Sequence, residues 1–103
     1  MLAEKVETVL SRGIFNTRPR DYYDIYILGT TQNYDKKRFR EALAATAEHR
    51  GSTEKIKDTD MIIKILSSSG DLQDMWVKYQ KKFAYSDGIT YEQIMQVLKH
   101  LIA

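Results

Sequence analysis

Arg20, Asp21 and Asp24 are the densest knot of charge in a stretch that is otherwise apolar and aromatic, DYYDIYIL from Asp21 to Leu28. On a helix the three share one arc of about 100° of the circumference. A helix that is apolar nearly all round is normally buried, and burying charge without a partner is costly. The chemistry open to these residues is therefore ionic. The nearest cations along the chain are Lys5, Arg12 and Arg18. Pairing with them would tie two helices together as a structural network, and charge clusters of this kind also mark functional sites.

Two helices must position these charges. Leu2, Val6, Val9 and Leu10 recur at i, i+4, i+7 and i+8 and draw one apolar face. At about 100° per residue, Lys5 and Arg12 fall on one edge of that face, while Glu4, Glu7 and Ser11 point away from it. Gly13 suits a helix stop. After a loop over 14–17, Pro19 suits the first turn of a second helix, where its missing N–H costs nothing.

These residues also carry a resemblance. Ala3-Glu4-Lys5, Ser11-Arg12-Gly13 and Asn16-Thr17-Arg18-Pro19-Arg20-Asp21-Tyr22-Tyr23-Asp24 resemble the AbiEii/AbiGii toxin family. Its members are abortive-infection nucleotidyltransferases, the enzyme halves of certain bacterial toxin–antitoxin pairs. The family pattern is a lysine on one helix, then Arg-x-Lys/Arg-Asp-x-x-Asp opening the next. Lys5, Arg18, Arg20, Asp21 and Asp24 fit it position by position, and Pro19 stands where a larger residue such as Met is expected.

The resemblance implies a role in phage defence and a division of labour within the cluster. Lys5, Arg18 and Arg20 would bind substrate, holding the triphosphate of an incoming nucleotide as point charge and forks. Asp21 and Asp24 would be the catalytic carboxylates, accepting a proton from the acceptor's hydroxyl or orienting the cations. Mg²⁺ and a nucleoside triphosphate are implied for the full-length family, with RNA, tRNA especially, as acceptor and a cognate antitoxin from the same operon as partner. The family's N-terminal nucleotidyltransferase domain, with a Gly-Ser/Thr turn and an Asp-x-Asp pair, would precede this stretch. Residues 1–103 are thus expected to be a single C-terminal helical domain, from a truncated gene or an excised piece, facing that domain across a cleft and inactive alone. The alternative is a non-catalytic helical protein-interaction domain whose charge cluster is purely structural.

Composition bounds both readings. A length of 103 residues points to one domain. With 16 basic and 14 acidic residues the net charge is +2, too balanced to argue nucleic-acid binding from overall charge. The absence of cysteine excludes disulfides and thiolate metal sites. No apolar run approaches the ~18 residues of a membrane span, and Glu4 and Glu7 do not suit a signal peptide. A cytoplasmic setting follows as the expectation.

The remainder reads as helices, giving an all-α, bundle-like domain of five to six. Asn33 or Asp35 can cap a third helix to about Arg50, ended by Gly51, with Phe39, Ala42, Leu43, Thr46 and Ala47 inward. Lys36, Lys37, Arg38 and Arg40 crowd its first turns against the helix dipole, which suits a solvated face, an acidic neighbour or an anionic ligand. The polar segment 52–58 reads as a linker. A short fourth helix should present Met61, Ile62, Ile65 and Leu66, and a fifth should present Leu72, Met75, Trp76, Tyr79 and Phe83. Thr90-Tyr91-Glu92-Gln93 is a capping box for the last helix, with Ile89 and Ile94 as its hydrophobic staple.

Other chemistry lacks its context. Gly51-Ser52 followed by Asp58-Thr59-Asp60 spells Gly-Ser and Asp-x-Asp, but Mg²⁺-binding carboxylates of that kind need adjacent strands, and the flanks here are helical. Helix caps account for the same residues. His49 and His100 stand apart, without the companions a metal site needs.

Overall fold

The computed structural model describes residues 2–31 and 35–102. Along them run α1 (Leu2–Arg12), a 3₁₀ turn (Gly13–Phe15), α2 (Pro19–Thr31), α3 (Lys36–Arg50), α4 (Thr59–Ser68), α5 (Gly70–Lys82), a second 3₁₀ turn (Ala84–Ser86) and α6 (Tyr91–Ile102). No strand occurs among the described residues, so the fold is all-α as the periodicity predicts.

The ends of the helices follow their local chemistry. The Asp35 carboxylate accepts from the amides of Lys37 at 2.8 Å and Arg38 at 3.4 Å, and so puts negative charge beside the crowded cations of α3. Of the two caps expected there Asp35 serves; Asn33 lies outside the described residues. Gly51, at φ 72°, closes α3 in the left-handed region. The capping box of α6 forms in both directions. Thr90 Oγ1 accepts from the Gln93 amide at 3.1 Å, and Gln93 Oε1 accepts from the Thr90 amide at 2.9 Å.

Helix α2 packs between α1 and α6, α3 lies against α1, and α4 rests on α6 and the first 3₁₀ turn. Val6, Val9, Ile25, Leu66, Ile94, Leu98 and Leu101 are fully buried where these helices meet, each worth about 1.5–3 kcal/mol of transfer free energy. Two of the buried aromatics, Trp76 and Tyr91, are tied to backbone carbonyls by their polar tips. Trp76 Nε1 donates to the Ile89 carbonyl and the Tyr91 hydroxyl to the Leu66 carbonyl, both at 2.8 Å. Gly29 permits the close approach of α2 to α6, since a Cβ there would come within 2.6 Å of Val97 Cγ1.

Several faces differ from expectation. Glu7 does not point to solvent: α3 covers that side of α1, and the residue is 2% exposed. On α4 the inward residues are Ile63 and Leu66, while Met61 and Ile65 are about half exposed. Its apolar residues, Met61, Ile62, Ile63, Ile65 and Leu66, run together with only Lys64 between them, so periodicity did not select the buried face. Ala42 of α3 is exposed. The polar segment after α3 is anchored rather than free, with Ser52 and Ile56 buried. Among the described residues no helix is long and apolar enough to cross a membrane.

Candidate functional site

Lys5 on α1 and the first turns of α2 meet where the sequence places them. The Lys5 ammonium lies 3.3 Å from Asp21 Oδ1 and 3.2 Å from Asp24 Oδ2, so one cation bridges two carboxylates a turn apart. The three members differ in access. The Asp21 side chain is 3% exposed, that of Asp24 24%, and that of Lys5 36%.

Asn16 completes the buried end of the cluster. It is itself 1% exposed. Its Nδ2 donates to Asp21 Oδ2 at 3.4 Å, and its Oδ1 accepts from the Arg18 amide at 3.0 Å. The second contact is an Asx turn, which leads the chain out of the 3₁₀ turn and into α2 at Pro19. Sequence reasoning quoted Asn16 within the motif without giving it a role. Its signal was an Asn just ahead of Pro19, where side-chain-to-backbone turns are favoured.

Arg18 and Arg20 stand beside this cluster with different company. Both are exposed. Neither forms an ion pair among the described residues, although Arg20 and Asp24 are spaced for one. Lys5 reaches Asp24 from the neighbouring helix instead. Arg12, the remaining cation expected near the cluster, lies in a different surface groove with Ile14, Phe15 and Lys55.

Asp21 and Asp24 as placed do not fit Mg²⁺. An ammonium already sits within 3.3 Å of both Asp21 and Asp24, in the place a metal ion would take. Asp58 accepts from the Met61 amide at 3.1 Å as a helix cap, and Ser52 faces Glu7. Among the described residues no group of three or more acidic, cysteine or histidine side chains is arranged to hold a metal. His49 and His100 are both exposed, on different helices.

A second ionic junction lies on the other side of α1. Ser52 Oγ donates to Glu7 Oε1 at 2.8 Å, and Arg50 Nη1 donates to Glu7 Oε2 and to Thr8 Oγ1, the latter at 3.1 Å. Burial pushes the Glu7 carboxyl up. Hydrogen bonds from Ser52, Arg50 and Ser11, with the charge of Arg50, outweigh it and hold the group below its ordinary value.

Fold and site together define an all-helical domain carrying a lysine-bridged carboxylate pair and free arginines at the start of one helix. A family model described as nucleotidyl transferase AbiEii toxin, type IV toxin–antitoxin system, matches residues 1–97, and the chain belongs to that family. An antitoxin partner is what such a system suggests. No curated protein and no solved structure matches the chain.

Proposed function

We propose that this chain contributes the basic and acidic residues of a nucleotide and RNA-acceptor cleft in an AbiEii-type nucleotidyltransferase. The carrying observation is the Lys5 ammonium, one third exposed and shared by two carboxylates, with two unpaired arginines beside it. Lys5, Arg18 and Arg20 hold the triphosphate of an incoming nucleotide. Asp21, buried and tied to Asn16, fixes the direction of Lys5. Asp24, the more accessible carboxylate, accepts the proton as the acceptor hydroxyl attacks the α-phosphorus. A new oxygen–phosphorus bond forms, the bond to pyrophosphate breaks, and the cations stabilise the leaving charge.

The rest of the machinery, including any Mg²⁺-binding carboxylates, is assigned to a nucleotidyltransferase domain facing this surface, and tRNA is the acceptor we favour. The chain is then inactive alone. Titration with each nucleoside triphosphate should show binding that weakens roughly tenfold for Lys5→Ala, Arg18→Ala or Arg20→Ala. Affinities indifferent to all three changes would refute the reading. Incubated alone with labelled nucleoside triphosphates, Mg²⁺ and tRNA, the chain should leave the RNA unlabelled. Labelling that disappears in Asp58→Asn or Asp60→Asn would move catalysis to those carboxylates.

A further inference from the structure

Arg18 and Arg20 also line a groove of about 410 Å³, and across it stand Lys78 and Lys82 of α5 with Tyr79, Phe83 and Tyr85. Among the described residues no acidic one lines it. All four cations are exposed, and none forms an ion pair among the described residues. The aromatic side is held firmly. The Tyr85 hydroxyl is hydrogen-bonded to that of Tyr79. Its ring lies 4.8 Å from that of Tyr23, edge to face, and 5.5 Å from that of Phe83. Even so Tyr85 remains 51% exposed, so a fixed aromatic surface faces solvent. Lys82 Nζ sits 5.5 Å from the centre of the Phe83 ring, joining the two kinds of wall.

Gathered cations with no ion-pair partner among the described residues call for an anion, and an open ring held in place calls for a flat partner. An acidic peptide answers the first need and leaves the ring uncovered. A strand of unpaired nucleotides answers both, with phosphates on the cations and a base on the ring. A duplex offers phosphates but keeps its bases stacked.

We propose that this groove binds single-stranded RNA, with one unstacked base on Tyr85 and flanking phosphates on Lys78 and Lys82. The arginines form the seam. Each carries five donors in a planar fork, which allows contact with the strand on one side and the nucleotide on the other. That the strand is the acceptor, its end delivered to Asp24, rests on the function proposed above; the binding itself does not.

The test is fluorescence anisotropy of the 103-residue chain with a labelled single-stranded RNA of about eight nucleotides, the matching blunt RNA duplex, and a nucleoside triphosphate as competitor. The single strand should bind more tightly than the duplex. Tyr85→Ala should weaken it about 5- to 150-fold, the range of one lost base–aromatic stack, and Tyr85→Phe should not. Lys78→Ala with Lys82→Ala should lower the slope of log affinity against log salt by about 1.4, two phosphates at about 0.7 each. Equal binding of strand and duplex, or affinity and slope unmoved by the Tyr85 and lysine changes, overturns the proposal. So does displacement of the strand by an equimolar mononucleotide, since the groove would then be a nucleotide pocket. Strand binding through Tyr85 with flat nucleotide titrations would sink only the nucleotide reading. Normal nucleotide binding with a strand blind to the groove would sink only this one.

Discussion

Helix α1 carries two ionic junctions, on opposite sides, and they are built to different ends. Toward α3, Glu7 is enclosed and both its oxygens are taken, one by Ser52 and one by Arg50. Toward α2, Lys5 bridges Asp21 and Asp24 but stays partly open to water, with Arg18 and Arg20 unpaired beside it. The first arrangement satisfies its own charges and holds two helices together. The second leaves positive capacity facing outward. A charge cluster on its own does not separate structure from function; what separates these two is whether the chain's own groups exhaust their partners.

The largest expected effect tests the closed junction. Arg50→Ala leaves Glu7 buried and charged with only hydroxyl partners, and should cost about 2–3 kcal/mol in thermal or denaturant unfolding. Glu7→Gln leaves an arginine that is 42% exposed and can reach water, and should cost about 1 kcal/mol. Equal costs would show that the junction is not enclosed as described. The folded-state pKa of Glu7 is depressed, so its contribution is present above the unfolded value of 4.5 and is lost as pH falls below it. The stability gap between the native chain and Glu7→Gln should therefore narrow on acidification through that range.

Smaller effects on stability, with larger ones on function, are expected at the open junction. Asp24→Asn leaves Lys5 its contact with Asp21 and should cost under about 1 kcal/mol. In an active nucleotidyltransferase assembled with this chain, the same change should abolish transfer to the acceptor. Arg18→Ala and Arg20→Ala should each shift stability by less than about 0.5 kcal/mol. A loss of several kcal/mol from Asp24→Asn would place that carboxylate with Glu7, as a structural group.

Short-range chemistry was the legible part of this molecule. The capping box at Thr90 and Gln93 spans one turn and forms as read. The meeting of Lys5 with Asp21 and Asp24 was legible because adjacent helices in sequence usually pack as neighbours. Glu7 was misjudged because its partners Arg50 and Ser52 come from the end of α3 and the segment after it, far along the chain. The face of α4 was misjudged for a different reason: Met61, Ile62, Ile63, Ile65 and Leu66 crowd together with only Lys64 among them, so more than one apolar face could be drawn. Tyr85 carries no local signal of the aromatic wall, since nothing in the sequence around it records that the fold brings it beside Arg18 and Arg20.

Gly29 gives the site a remote point of control. Helix α2 holds Asp21 and Asp24 near one end and Gly29 near the other, pressed on Val97. From Asp21 to Gly29 is about 12 Å along one continuous helix, so a shift at Gly29 would be carried to the carboxylates. Gly29→Ala would put a Cβ 2.6 Å from Val97 Cγ1, about 1 Å short of ordinary contact, and a shift of α2 to relieve it would move the carboxylates relative to Lys5 without touching any charged residue. The sign of that coupling is a nucleotide affinity that falls in Gly29→Ala while the chain remains folded; an affinity equal to that of the native chain would show that Val97 yields instead.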